Sequence, residues 1–437
     1  MKILLTGSGT GGHFYPLIAV AEELRHIADE ERFIQPQLYF AGPTPYDKDA
    51  LLENDIEFVK IPAGKIRRYA SILNITDMWK TGIGVLRGLF VVFSIFPDVI
   101  FSKGGYTSVP VVFAAWFFGI PIVIHESDSK PGRANLWAAK FAKRIAISYP
   151  TAAQYFPEKK TALTGNPIRK AIREPQSSGA YEYLKLEEGT PVIFVLGGSL
   201  GAKRINEIIL DTLSDLVQTY QIIHQTGQAH IDNVVRTAHV ILENNPSAHR
   251  YHPFAHLGPL AMKMSAGAAD LVVSRAGSTI FEIAQWGLPS IILPLSEDIS
   301  HDQLHNAITY AKSGACLVIE DHNLTPNVLL VDIKRILDNE HERVAMIEAA
   351  QSFTKHDAAT IIARELFAIG LKHEGVAEES TADTQQKETS TQSTNEEGKS
   401  EMTLNKTSKD DIVHHVANVP QNKTVADNVH TFSIGPH

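Results

Sequence analysis

Ser274-Arg275-Ala276-Gly277-Ser278-Thr279-Ile280-Phe281-Glu282 reads as a strand end, a turn of small residues and a helix start. The first amides of such a helix, at Ser278 and Thr279, point outward unpaired at the positive end of the helix dipole and can receive a phosphate. Arg275 supplies a cation there, or else a surface ion pair. Glu282, one turn into the helix, can accept both hydroxyls of a ribose, or it merely satisfies the dipole. Gly197-Gly198-Ser199 is a second such place. Ser199 can offer a hydroxyl and an N–H to a diphosphate, or the segment is a tight turn with a serine facing water.

A third glycine loop, Gly7-Ser8-Gly9-Thr10-Gly11-Gly12-His13, lies near the start. Its spacing matches the dinucleotide fingerprint in form. That fingerprint also wants an acid at the end of the second strand to hold a ribose, and here the strand ends Phe40-Ala41-Gly42-Pro43. A dehydrogenase is therefore disfavoured. His13, with an ordinary imidazole pKa near 6.5, can take a proton from an attacking hydroxyl. It can equally cap the helix or bind a substrate oxygen. The segment from Pro294 to Asn306, a loop running into a helix, carries Asp298, His301, Asp302, Gln303 and Asn306, amides and carboxylates suited to sugar hydroxyls. The spacing of His301, Asp302 and His305 is not a standard metal-ligand set, so no metal site is expected.

Positioning these loops requires strands that end where they begin. Apolar runs at Ile3–Thr6, Gln37–Ala41, Phe58–Ile61, Asp98–Ser102, Ile122–His125 and Arg144–Ser148 alternate with amphipathic stretches such as Tyr15–Glu31. The pattern restarts after Gly165-Asn166-Pro167, with strands at Val192–Leu196, Gln221–His224, Leu271–Ser274, Ser290–Leu293 and Cys316–Ile319. Helices are expected at Ser278–Trp286 and Gln303–Lys312, from Thr325-Pro326, and at Asp357–Ile369, stopped by Gly370. Strands alternating with helices indicate an α/β protein of two doubly wound parallel-sheet units. Ligands of such sheets lie beyond the carboxyl ends of the strands, which places a ligand in a cleft between the units.

The expected boundaries are 1–164 for the first domain, 165–350 for the second, a helix at 357–370 packing back on the first, and a tail at 371–437. That tail holds 6 Lys and 11 Asp or Glu, so five of the nine net negative charges of the 437-residue chain fall there. It is polar and without apolar period, and disorder is expected; Asp410–Val419 is a short helix candidate. The net charge of −9 argues against nucleic acid as a partner. A single cysteine, Cys316, admits no intramolecular disulfide and suits a reducing compartment. The N-terminus is too short in apolar residues for a signal peptide. The longest apolar stretch, Gly88 to Phe101, is broken by Pro97 and Asp98, short of the roughly 20 residues a bilayer span needs. No transmembrane helix is expected. The segment from Lys65 to Phe96 mixes Arg67, Arg68, Lys80 and Arg87 with Leu73, Trp79 and Leu86. It suits an anionic membrane surface, or is an amphipathic helix packed on the sheet.

Thr10-Gly11-Gly12-His13, Lys103-Gly104-Gly105-Tyr106, His125-Glu126, Gly165-Asn166-Pro167-Ile168-Arg169, Leu196-Gly197-Gly198-Ser199 and Ser274-Arg275-Ala276-Gly277 with Glu282 occur in an order and spacing that resembles the MurG family of N-acetylglucosamine transferases. The likeness spans most of residues 1–370. It implies the GT-B fold, two Rossmann-like domains facing across a cleft. It implies inverting transfer of GlcNAc from UDP-GlcNAc to a lipid-linked muramyl-pentapeptide acceptor in peptidoglycan synthesis. It implies a peripheral position on the cytoplasmic face of the membrane, no cofactor, no catalytic metal, and cell-wall or division-complex proteins as partners. By position, Thr10, Gly11 and Gly12 would lie near the donor sugar and Arg169 would reach the donor from the domain junction. Ser199 would bind the diphosphate, Glu282 the ribose and Gln303 the GlcNAc hydroxyls, with His13 a candidate base. The alternative is another GT-B enzyme on UDP-GlcNAc, such as a 2-epimerase. Two departures stand out. Some members have Gln-Asn after His-Glu where this chain has Ser127-Asp128, and Arg-Gln where it has His301-Asp302.

Overall fold

The computed structural model describes residues 1–64, 73–197, 203–296, 300 and 302–373. The expected tail lies outside the described residues from 374 onward, as do Lys65, Arg67, Arg68, Ser199, Asp298 and His301.

Thirteen strands form two all-parallel sheets among the described residues. The first comprises β1 (Lys2–Thr6), β2 (Gln37–Gly42), β3 (Ile56–Lys60), β4 (Val99–Ser102), β5 (Ile122–Glu126), β6 (Arg144–Ile147) and β7 (Thr161–Leu163). Its order is β3-β2-β1-β4-β5-β6-β7. The second comprises β8 (Val192–Leu196), β9 (Gln221–Gln225), β10 (Tyr251–Phe254), β11 (Leu271–Ser274), β12 (Ser290–Ile292) and β13 (Cys316–Val318), in the order β10-β9-β8-β11-β12-β13. Strand β8 is Val-Ile-Phe-Val-Leu and every residue is buried. That is the signature of a parallel strand covered by helices on both faces, where alternation would expose one face.

In both sheets the strand order reverses beside the first strand, between β1 and β4 and between β8 and β11. Side chains following strands that diverge at such a point leave a crevice between their loops. The four loops there begin at Gly7, Lys103, Gly197 and Arg275. Each glycine segment read from the sequence therefore sits at a switch point.

Three readings need correction. Strands β7 and β10 were not expected. They are short edge strands, and Pro253 within β10 removes a ladder donor, so neither carries a strong periodic signal. Gly370 does not stop the last helix, which runs over 358–373. A Cβ at Gly370 would lie 2.5 Å from Met1 Sδ, so glycine serves a close approach there. The third is the place of the longest apolar stretch, expected from Gly88 to Phe101 and found within helix Leu73–Ile95. Its window Asp77–Ile95 has mean hydropathy 1.4 over 19 residues, long and apolar enough by composition to cross a membrane. Yet this helix is the crossover between β3 and β4 of one sheet. Gly84 and Gly88 let it lie against the backbone of Pro62 and Pro110. Val91 and Val92 are buried with Ile61, Val111 and Ala115. Its opposite stripe, Met78, Trp79, Ile83, Leu86, Phe90 and Phe93, is exposed.

Helix 358–373 places Ile362, Ala363, Leu366 and Phe367 in the same core as Leu17, Val20 and Leu24 of helix Gly11–Glu30. Thr360 Oγ1 donates to Glu23 Oε1 at 2.9 Å and Arg144 pairs with Glu365 at 3.0 Å. The chain thus ends its described part on the first sheet after building the second.

Candidate functional site

Two helix N-termini meet across the crevice. Helix Gly11–Glu30 follows β1, and helix Thr279–Trp286 follows β11. Neither has a side-chain cap, so first-turn amides are left to a ligand or water. The two ends are in contact: a Cβ at Gly12 would lie 2.8 Å from Ser278 Oγ. A side chain at Gly12 would require the Ser278 hydroxyl to move. Two positive helix ends at one point make a strong anion site.

His13 lies in the first turn of its helix. Thr10, instead of capping the helix, places Oγ1 3.0 Å from His13 Nδ1. The ring keeps some access to solvent, but dense surroundings desolvate it and Lys103 repels its charged form. Together these push its pKa down to about 4, with Asp128 opposing. His13 is therefore neutral at pH 7, and its basicity in this arrangement is low.

Beneath the first loop sits a buried polar cluster. Lys103 Nζ donates to His125 Nδ1 at 2.6 Å and to Asn166 Oδ1 at 3.1 Å. His125 Nε2 lies 2.9 Å from Gly165 O. A carbonyl only accepts, so Nε2 carries the hydrogen and Nδ1 offers its lone pair to the ammonium. That agrees with a His125 pKa well below the ordinary value, lowered by burial and then by Lys103. Burial also draws Lys103 down to about 7 against the pull of Glu126 and Asp128. Glu126 is pushed up to about 7 by burial and by Asp128. Its carboxylate accepts from Asp128 N (2.9 Å), Gly132 N (3.1 Å) and Asn135 Nδ2 (3.0 Å).

The domains are joined over this cluster. Asn306 of the second domain accepts from Ser129 N at 2.8 Å and donates to Asp128 Oδ1 at 2.9 Å and to Ala276 O at 3.2 Å. Arg169 lies with Cζ 3.6 Å from the Tyr15 ring centroid, a cation–π contact. Its Nε has no hydrogen-bond partner among the described residues. Lys170 N donates to Glu22 Oε2 at 2.9 Å. Glu282 has its pKa raised by burial, with the Arg169 charge opposing.

Thr10, Gly11, Gly12, His13, Ser278 and Thr279 thus come together at the facing turns, with Glu282 and Arg169 beside them. Two expected residues are engaged elsewhere. Arg275 Nη1 donates to Leu293 O (2.8 Å) and Pro294 O (3.2 Å), tying the turn after β11 to the end of β12. Gln303 Oε1 accepts from Leu295 N at 3.1 Å. Asp302 is the N-cap position of helix Gln303–Ala311. Sequence reasoning gave no role to Lys103 and read Asn306 as one of the sugar-reading residues, whereas its side chain is bonded to Ser129, Asp128 and Ala276. A lysine directly after an apolar strand was the available signal for the first; for the second, the sequence offered no sign of the bonds it makes to the other sheet's loop.

Comparison with known proteins gives a consistent set. Residues 3–147 match the glycosyltransferase family 28 N-terminal domain and residues 192–362 its C-terminal domain. A protein of Treponema denticola is 34% identical over 389 residues, covering 83% of this chain and 96% of its own length. One of Clostridium kluyveri is 33% identical, with 80% and 95% covered. Both are named UDP-N-acetylglucosamine--N-acetylmuramyl-(pentapeptide) pyrophosphoryl-undecaprenol N-acetylglucosamine transferase. Among solved structures, MurG of Acinetobacter baumannii superposes with TM-score 0.62 at 23% identity, covering 84% of this chain and 99% of that one. A UDP-GlcNAc 2-epimerase of Neisseria meningitidis bound to UDP-GlcNAc gives 0.58 at 15%, covering 84% and 100%. Such likenesses carry the GT-B fold but do not separate transferase from epimerase.

Proposed function

We propose, from the premise that the chain belongs to glycosyltransferase family 28, that it moves GlcNAc from UDP-GlcNAc to the lipid-linked muramyl-pentapeptide acceptor of peptidoglycan synthesis. The observation that carries this is identity of 33–34% over four fifths of the chain to relatives named for that transfer. The epimerase reading has only fold-level support.

The reaction is an inverting displacement. The C4 hydroxyl of the muramyl sugar attacks the anomeric carbon and UDP leaves. Charge on the leaving diphosphate is met by the amides of the turn at Ser278 and Thr279 and by the loop with Ser199; donors fixed where charge develops are the largest ordinary source of rate. Glu282 accepts the ribose hydroxyls, Gln303 binds the GlcNAc hydroxyls, Arg169 reaches the donor from the junction, and Thr10, Gly11 and Gly12 border the sugar. His13 takes the proton of the attacking hydroxyl. Arg275 acts by holding its turn.

The acceptor is lipid-borne, so the enzyme works at a membrane surface as a peripheral protein. The exposed stripe from Met78 to Phe93 supplies apolar contact of the kind that lies in an interface, and Lys80 borders it. Incubation with UDP-GlcNAc, with and without a lipid-linked muramyl acceptor, tests the reading. UDP release that depends on the acceptor supports it. Conversion of the donor without acceptor supports an epimerase instead.

A further inference from the structure

Arg169 is rooted in the second domain. Ile168 and Ile172 on either side of it are buried in that domain's core, and Trp286 Nε1 donates to Ile172 O at 2.7 Å. Its guanidinium nevertheless lies on the first domain, with Cζ 3.6 Å from the centroid of the Tyr15 ring. That ring is fixed by its neighbours. Tyr15 Oη donates to Asp47 Oδ2 at 3.2 Å, and Asp47 Oδ1 accepts from Ala50 N at 3.0 Å. Tyr46 and Phe14 stand edge-to-face with it, their centroids 5.7 Å and 5.6 Å away. The next residue is tied down as well. Lys170 N donates to Glu22 Oε2 at 2.9 Å, and Lys170 Nζ lies 3.4 Å from Glu23 Oε2. Glu22 follows Tyr15 by two turns, so one face of helix Gly11–Glu30 receives both Arg169 and Lys170.

No hydrogen bond or ion pair engages the Arg169 guanidinium among the described residues, and its Nε is buried. A cation drawn out of water without an anion is costly, which suits a place that an anion enters. Tyr15 is three residues beyond Gly12 and Glu282 four beyond Ser278, so each lies one turn in from the point where the two helix ends touch. Burial raises the carboxyls of Glu22 and Glu282, and the Arg169 charge is among the influences opposing this at both. The guanidinium therefore stands between the facing helices. We propose that Tyr15 is a positioning residue, whose ring holds the Arg169 guanidinium in the crevice, where it meets the diphosphate of the bound donor. A guanidinium lying on an aromatic face keeps its in-plane N–H groups for phosphate oxygens, so the ring fixes the cation without consuming its donors.

In full-length protein, calorimetry of UDP is compared with uridine, read as a competitor of UDP, which separates the phosphates from the base and ribose. Tyr15→Leu should weaken UDP by about tenfold and uridine by less than about twofold, the order expected for a partly desolvated cation–π contact to a cation that faces the phosphates. Tyr15→Phe, which keeps the ring face, should recover most of the loss. In an Arg169→Met background, Tyr15→Leu should cost UDP less than about twofold further, since the ring then has no charge to hold. Should Tyr15→Leu not fold, Tyr15→Gln, which keeps a donor for Asp47 and removes the ring, carries the same expectation. The inference rests on the proposed donor. A parent protein that does not bind UDP overturns that reading and the inference with it. A parent that binds UDP, with a ring-less variant that binds it equally well or loses UDP and uridine alike, overturns the inference alone.

Discussion

Asn306 joins the two domains at the point where the chemistry is placed, and its loss has a size that can be worked out. Asn306→Ala removes both bonds it makes across the junction, from Ser129 N at 2.8 Å and, charge-assisted, to Asp128 Oδ1 at 2.9 Å. One neutral bond at about 1 kcal/mol and one to a carboxylate at about 1.5–3 kcal/mol give about 2.5–4 kcal/mol of junction stability. Water entering an opened crevice would re-solvate Ser129 N and Asp128, so the lower end applies. If transfer requires the domains closed as seen here, about 2.5 kcal/mol is roughly sixtyfold in kcat/KM. The assay is initial-rate UDP release at sub-saturating donor, with small-angle scattering to follow the radius of gyration of the same variant. The expected pattern is a large rate loss with a more open molecule. A loss below about threefold, less than one ordinary hydrogen bond is worth, would show that closure through Asn306 is not part of the reaction.

Three further outcomes are expected. His13→Ala should lower turnover by about 10²- to 10⁴-fold, the usual contribution of a positioned base, with donor affinity by calorimetry nearly unchanged; full activity would relieve His13 of that role. Trp79→Ser with Phe90→Ser should weaken vesicle binding, each buried apolar side chain contributing about 1.5–3 kcal/mol, and charge reversal at Arg67, Arg68 and Lys80 should remove the preference for anionic lipid; sedimentation unchanged in both variants would rule out this surface. His224 is held neutral between Tyr251 and Asn206, and burial pushes its pKa from 6.5 to about 3. The unfolded chain takes that proton first, so the stabilisation is complete above pH 6.5 and is lost as pH falls toward 3, by at most about 1.4 kcal/mol per unit. Denaturant titrations of His224→Gln at pH 7 and 5 should show a correspondingly shallower pH dependence, and an unchanged one contradicts the assignment.

Most of the architecture was legible because parallel strands announce themselves. Val192–Leu196 and Leu271–Ser274 are unbroken apolar runs, and glycines follow the strands at both switch points. Thr10 to His13 and Ser278 to Glu282 were legible for a related reason: a strand end, small residues and a helix start are contiguous in sequence. The cluster of Lys103, His125 and Asn166 was not, since its members meet over separations of 22 and 63 residues. Asn306 contacts Ser129 from 177 residues away. The local string of Arg275 gives no hint that the carbonyls of Leu293 and Pro294 accept from its Nη1. Local pattern reports which backbone groups are offered to a ligand; which side chains are already occupied is set by tertiary packing.

The most direct measurement is the structure of the protein with UDP-GlcNAc bound. The donor should lie in the crevice between the sheets, its diphosphate on the first amides of helix Thr279–Trp286 and on the loop after Leu196, its ribose on Glu282, and its sugar beside Gly11 and Gly12. A donor seated outside that crevice, or a diphosphate held chiefly by a divalent ion and away from the helix ends, would contradict the account.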